Sequence, residues 1–307
     1  MNAPVDIKAM QGVFQSKYDQ IEVRFDPEHA VAWTYMKPSD APCFNLGMLE
    51  ELRAHESAIE SCGGLVLYKG DLHQIHYLVI GSRIEHIFSL GGNLTKLVPL
   101  MQLRNRDALM HYAKLCIENM YARICNYNSP LTTVSLVQGE ALGGGFETAL
   151  ASNVIIAERR SRIGLPEILF NLFPGMGAYS LLGRRVGMKR AEEMIFSGRI
   201  YTAAELHEMG VVDILVEDGA GEAAVYDYSR RNARRRNGMQ AVFDCRRHFN
   251  PVSYDELLNI TNIWVDAAMR LEDKDLKLMS RLGRSQLKFG QGRTAAEPVE
   301  EVQFATA

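Results

Sequence analysis

The sequence predicts a mixed α/β domain that gives way to a helical C-terminal region. Three observations predict it. Short β-branched runs recur in pairs ahead of segments with helical spacing, the pattern of repeated strand–strand–helix units. The most regular run, Leu131–Val137, leads through Gly143, Gly144 and Gly145 into the helical spacing of Phe146–Ser152. From Ala220 to Gln286 only helical spacing remains.

Residues 1–18 are polar and read as a flexible N-terminus. Gln20–Phe25 and Val31–Met36, with Asp26, Pro27 and Glu28 between them, read as a hairpin. Asn45 stands where it would cap a helix ending at Ser61, ahead of Cys62-Gly63-Gly64. Leu65–Lys69 and Ile75–Gly81 are the next strands. A turn, Ser89-Leu90-Gly91-Gly92-Asn93, precedes Pro99, and one long helix is predicted from about Leu100 to Tyr127. Pro130 separates that helix from the strand feeding the glycine turn. Met188–Phe196 and Thr202–Met209 read as short helices, Thr202 capping the second, and Val211–Val216 as a last strand. Residues 287–307 lack periodicity and read as a disordered tail.

A chain of 307 residues can hold one large core or two unequal domains. A net charge of −3 argues against general nucleic-acid binding, though it leaves room for a local basic patch. The five cysteines, Cys43, Cys62, Cys116, Cys125 and Cys245, show no metal-ligand spacing. Their odd number, with no export-signal pattern in Met1–Gln20, points to reduced thiols in a cytoplasm. No apolar run approaches the ~18 residues of a membrane span.

The chemistry centres on the glycine turn. Strand, glycine turn and helix in succession aim backbone N–H groups at a ligand's negative charge, because the first N–H groups of a helix lack intrahelical partners. Glu147 lies three residues after Gly144, on the same side of that helix. A second carboxylate, Glu167, follows Pro166 twenty positions later, ahead of the turn Phe173-Pro174-Gly175-Met176-Gly177. No Gly-Lys-Ser/Thr occurs, so there is no P-loop, and Gly175-Met176-Gly177 lacks the third glycine and preceding strand of a dinucleotide fingerprint. No G-x-S-x-G elbow is present either.

GEALGGGFE, GLPEI and FPGMGAYS at this spacing resemble the crotonase (enoyl-CoA hydratase/isomerase) superfamily. ALGGGFE, LPEILFNLFPGMGAYS and ITNIWVDAAM resemble its diffusible signal factor synthase branch, over roughly positions 15 to 286. The resemblance implies a crotonase-like spiral of ββα units over residues 19–219. It implies a C-terminal helical region over 220–286 that packs into a trimer or hexamer.

It also implies a bifunctional dehydratase and thioesterase. Such an enzyme acts on 3-hydroxyacyl thioesters of acyl carrier protein and releases a free cis-2-unsaturated fatty acid used as a diffusible quorum-sensing signal. Glu167 is then assigned to the α-proton and Glu147 to the β-hydroxyl, roles that are open to exchange. The backbone N–H groups of Gly144 and Gly92 form the oxyanion hole, with Asn93 where the family often carries Asp. Leu172, Phe173, Met176, Trp264 and Leu282 are assigned to the acyl tunnel. No metal or cofactor is implied, the acyl group arriving on carrier protein or coenzyme A.

The resemblance further implies that some relatives bind a sensor histidine kinase. Two other readings are therefore a conventional hydratase or isomerase of coenzyme A esters and a catalytically silent regulatory protein; the intact Glu147 and Glu167 count against the last. Arg230, Arg231, Arg234, Arg235, Arg236, Arg246 and Arg247 form a basic run in this net-acidic chain. It reads either as a solvated face or as a dock for an acidic carrier.

Overall fold

A computed structural model describes Met10 and residues 13–290. The predicted flexible N-terminus at residues 1–9 and 11–12, and the predicted tail at 291–307, lie outside the described residues. Residues 13–18 are not loose. Val13 is fully buried, and Phe14 stacks on Phe25 with ring centroids 5.4 Å apart.

The hairpin is β1 (Ile21–Asp26) and β2 (Val31–Met36), paired antiparallel. Asn45 caps α1 (Leu46–Ser61), its side chain accepting from Met48 N at 3.0 Å. Gly63 and Gly64, both at positive φ, turn the chain into a hairpin of β3 (Leu65–Tyr68) and β4 (Asp71–Gln74). No strand is predicted from sequence over Asp71–Gln74.

Three strand–strand–helix units follow. The first is β5 (Tyr77–Ser82), β6 (Ile87–Ser89), α2 (Leu94–Gln102) and α3 (Arg106–Ile124). The second is β7 (Thr132–Val137), β8 (Glu140–Leu142) and α4 (Gly144–Leu150). The third is β9 (Val154–Glu158), β10 (Arg162–Gly164), a 3-10 turn at Pro166–Phe170, α5 (Ala178–Val186) and α6 (Met188–Ser197). Then come β11 (Ile200–Thr202), α7 (Ala203–Glu208) and β12 (Ile214–Val216). Thr202 and Glu205 make a reciprocal capping box at α7.

The first strand of each unit joins a six-stranded sheet ordered β1-β2-β5-β7-β9-β12. The second joins a four-stranded sheet ordered β11-β10-β8-β6. From β2 to β12 the large sheet is parallel, and so are β6, β8 and β10. Each unit thus advances one strand in both sheets at once, which is a spiral of ββα units. Strands of the large sheet are covered on both faces, so they are apolar without strict alternation. Their inner face meets the main core, while Trp33, Tyr35, Val79, Val134 and Leu136 form a second cluster on the outer face.

The predicted helix over Leu100–Tyr127 is two helices. Arg104 takes φ 52° at the break, and Asn105 caps α3 by accepting from Ala108 N at 3.1 Å. Pro99 sits inside α2.

Four helices end the described chain: α8 (Gly221–Asn232), α9 (Arg236–Phe249), α10 (Tyr254–Ala268) and α11 (Asp273–Gly290). Ala224 and Val225 of α8 belong to the outer-face cluster of the large sheet. Phe243 of α9 belongs to it as well, so the helices that follow residue 220 begin packed on the sheet. α10 packs on α3 and α11 on α2. α11 also runs through 287–290, where the sequence predicts the start of the tail. Among the described residues no helix is long and apolar enough to cross a membrane.

Candidate active site

The turn after β6 leaves one backbone donor uncommitted. Leu90 N donates to Pro42 O, Gly91 N to Ser89 Oγ, Asn93 N to Phe44 O and Leu94 N to Gln286 Oε1. Gly92 N alone of these five has no acceptor among the described residues. Its direction follows from the planar trans peptide. Gly91 O accepts from Phe44 N at 2.8 Å, so the N–H of Gly92 points the opposite way.

Gly144 N is the second free donor, the first N–H of α4. The two turns lie side by side: a Cβ on Gly144 would stand 3.7 Å from Gly92 N, and one on Gly91 would stand 3.0 Å from Gly144 N. Gly91 has φ +81°, so glycine is needed there on both counts.

Glu147 is buried one turn into α4. Its Oε1 accepts from Met176 N at 2.8 Å and from Ala178 N at 3.0 Å, so the turn Phe173–Gly177 is its clamp. Burial pushes its carboxyl up to about 7, against those N–H groups, which favour the anion. Glu167 stands in the 3-10 turn after β10, and its Oε2 is enclosed without a hydrogen-bond partner. Burial first, and then the charge of Glu147, raise its carboxyl to about 8. Side by side, the two cannot both ionise readily near neutrality.

Both carboxylates and both free N–H groups open on one cavity of ≈1370 Å3. Its inner wall is largely apolar, with Leu49, Leu52, Ile80, Met101 and Met120. It also carries the buried Glu56, Asn119 and Arg123. Of the five residues assigned to the acyl tunnel, Leu172, Met176, Trp264 and Leu282 line it. Phe173 does not: its ring is partly buried against the main core outside the lining. Trp264 packs against Gly175, where a Cβ would come 2.2 Å from Cγ of the indole. No histidine lines the cavity among the described residues. Cys116 does, but burial pushes its thiol up to about 12, which removes it as a thiolate nucleophile.

Asn93 caps α2 through Oδ1, 3.1 Å from Thr95 N, while its Nδ2 donates to Asp40 Oδ2 at 3.4 Å. An aspartate there would set two carboxylates together.

The arginine run does not line the cavity. Arg230 pairs with Asp227 and Arg247 with Asp244. The cavity's exposed rim instead carries Arg162, Arg199 and Ser285. Sequence spacing pointed to none of these three, nor to Gln286, because isolated polar residues carry no periodic signal.

The enoyl-CoA hydratase/isomerase family model matches residues 66–243. Among curated relatives, the fatty acid oxidation complex subunit alpha of Pseudomonas aeruginosa is 28% identical over 211 residues, 69% of this chain and 26% of its own length. The chain thus spans about a quarter of that relative. Mitochondrial methylglutaconyl-CoA hydratase of Rattus norvegicus is 30% identical over 155 residues, 49% of this chain and 46% of the relative. An enoyl-CoA hydratase/isomerase structure from Xanthobacter autotrophicus Py2 superposes with a TM-score of 0.68 at 21% identity, covering 90% of this chain and 97% of the other. That likeness is one of fold.

Proposed function

The chain belongs to the enoyl-CoA hydratase/isomerase family, and from that premise we propose that it adds or removes water across the α,β bond of an acyl thioester. Within that chemistry, its reading is the dehydration of a 3-hydroxyacyl thioester of acyl carrier protein, followed by hydrolysis to a free cis-2-unsaturated fatty acid. The observation that carries the first step is the pair Glu147 and Glu167 on the same cavity as two uncommitted N–H donors.

In the dehydration direction, the Glu167 carboxylate takes the α-proton and the thioester oxygen gains negative charge. Gly92 N–H and Gly144 N–H hold that charge, each such donor being worth roughly 3 kcal/mol of barrier. Glu147 gives its proton to the departing β-hydroxyl, and water leaves. One proton is shared by the pair throughout.

The hydrogen bonds decide where that proton rests. Glu147 accepts two backbone N–H groups, which favour its anion, while Glu167 has an enclosed oxygen with no donor. The proton therefore rests on Glu167, the arrangement that serves hydration. Dehydration starts from the other arrangement, with the proton on Glu147.

Hydrolysis needs a water at the same carbonyl, which either carboxylate can activate without a nucleophilic side chain. Support for this finer reading is local. The segments FPGMGAY and ITNIWVDAAM, which carry the resemblance to the signal-synthase branch, meet at the cavity wall. There Trp264 covers Gly175, and Thr261 Oγ1 donates to Gly175 O at 3.1 Å. Trimeric or hexameric assembly and a sensor kinase partner belong to the same proposal. A conventional hydratase of coenzyme A esters is the second reading, favoured by the named hydratase relative.

The test offers purified protein a 3-hydroxyacyl chain on carrier protein and the same chain on coenzyme A, with products separated by mass spectrometry. Free unsaturated acid from the carrier substrate supports the first reading. Reversible hydration of the coenzyme A ester without free acid selects the second. No change in either substrate sinks both.

A further inference from the structure

We infer that Gln286, on the last turns of α11, is a positioning residue of the oxyanion hole. This rests on the reaction proposed above. Its side-chain amide is buried and fully used. Nε2 donates to Leu90 O and to Gly92 O, both at 3.1 Å, and Oε1 accepts from Leu94 N at 3.0 Å. Two carbonyls on one side and an N–H on the other fix which end of the amide is which.

The geometry of the turn gives those bonds a purpose. The Gly92 donor belongs to the peptide plane between residues 91 and 92. That plane is held by Phe44 N on Gly91 O. Gln286 holds the planes on either side, through Leu90 O and Gly92 O. Three successive planes are thus fixed from outside the turn, and the middle one aims its N–H at the cavity. Gly91 and Gly92 have no side chains to restrain them, so without Gln286 the outer two planes keep only Ser89 Oγ on Gly91 N and Phe44 O on Asn93 N.

α11 is placed to act as more than a brace. Met279, Leu282, Ser285 and Phe289 of the same helix line the cavity. Asn171 Nδ2, in the turn that carries Glu167, donates to Asp275 Oδ2 near the start of α11 at 3.1 Å. A substrate that fills the cavity therefore touches the helix that sets the donor.

The test compares Gln286→Ala, Gln286→Glu and wild type in hydration of crotonyl-CoA. A displacement of order 1 Å at a donor costs up to about a hundredfold in rate. Gln286→Ala should lose about tenfold to a hundredfold in kcat, with KM within about threefold and melting temperature lowered by only a few degrees. Gln286→Glu keeps the acceptor for Leu94 N but has no proton for the two carbonyls. Its kcat relative to wild type should be lowest at neutral pH and recover as pH falls and the new carboxyl gains a proton.

Gly283→Val keeps Gln286 but crowds the helix, since a Cβ at Gly283 already meets Thr95 N at 3.1 Å. It should show the same kcat loss. Full kcat in Gln286→Ala, or a loss carried by KM or by melting temperature alone, overturns the inference. A wild type inert on crotonyl-CoA counts against the coenzyme A reading of the reaction, not against this inference. The positioning of the turn is then decided by hydrogen exchange over residues 88–97, which quickens in Gln286→Ala if the inference holds and is unchanged if it fails.

Discussion

Glu167 Oε1 rests so close to the bare α-carbon of Gly143 that a Cβ there would lie 2.3 Å from it. Gly143 also takes φ 53° as the residue that starts α4, and its N–H donates to Gly164 O at 2.9 Å. One glycine thus turns the chain into the helix that carries Glu147, ties that turn to the strand leading to Glu167, and leaves room for the second carboxylate. Gly144, its neighbour, has a different task.

The two glycines should separate on substitution. Gly143→Ala meets a positive φ costing about 1–2 kcal/mol and a carboxylate in the way, so stability and rate should fall together. Gly144→Ala makes only ordinary contacts, 3.5–3.8 Å from Gly91 and Gly92, but sets its methyl beside the Gly92 donor. Its rate should fall about tenfold or more while its melting temperature holds. Equal losses in both variants would reduce the turn to a structural feature.

Glu147→Gln and Glu167→Gln should each lower kcat by about a hundredfold or more, since acid–base groups contribute at least that. Neither should unfold the protein, because each removes a carboxyl that burial disfavours when charged. Turnover of a 3-hydroxyacyl thioester and a melting curve on the same preparations check both statements. A variant keeping a tenth of wild-type turnover would remove that residue from the mechanism.

What the sequence made legible follows from local chemistry. The hairpin, the cap at Asn45, the glycine turn and the two glutamates each carry a signal within a few residues. The break at Arg104 does not, because apolar spacing continues through it and only Asn105's cap marks the new helix. The placement of α8 on the outer face of the sheet, against Trp33 and Tyr35, is a tertiary fact that helical spacing cannot report. Phe173 shows the same limit: beside Leu172 and Pro174 it is one apolar residue among several, and only the fold turns it from the cavity. Gln286 lies 192 positions from Leu94, whose N–H it accepts.

Stability should decline as pH rises from about 5 to about 8. Glu147 is raised from 4.5 to about 7 and Glu167 from 4.5 to about 8. Glu56, buried beside Arg123, is likewise raised to about 7. For a raised carboxyl, the folded state keeps its proton after the unfolded chain has lost it. Its contribution is complete below the ordinary range and is lost as pH climbs through the folded value. Melting temperature against pH should therefore fall across that window, and Glu167→Gln should flatten its upper part. A flat profile in that window, unchanged by Glu167→Gln, would mean both carboxyls are ionised in the fold.

The last prediction concerns how a charged carrier meets the cavity. Sequence clustering drew attention to Arg230–Arg236 and Arg246–Arg247, but these stand away from the cavity, and Arg230 and Arg247 are matched by Asp227 and Asp244. Arg246 lies over the Phe243 ring at 5.3 Å. Arg162 and Arg199 stand on the exposed rim of the cavity, Arg199 paired with Glu205 and over Tyr201 at 4.7 Å. A phosphate near the thioester arm would meet the rim, whereas the body of an acidic carrier reaches further out. Arg162→Glu should then raise KM for carrier and coenzyme A substrates alike, with kcat little changed, and the effect should shrink with salt. Arg234→Glu with Arg235→Glu should raise KM for the carrier substrate alone and flatten its salt dependence. Neither change touches Glu147 or Glu167, so a short thioester mimic without phosphate should turn over as before. If the double variant treats carrier and mimic alike with unchanged constants, the run is a solvated or subunit-contact face, and attraction of the substrate rests with the rim.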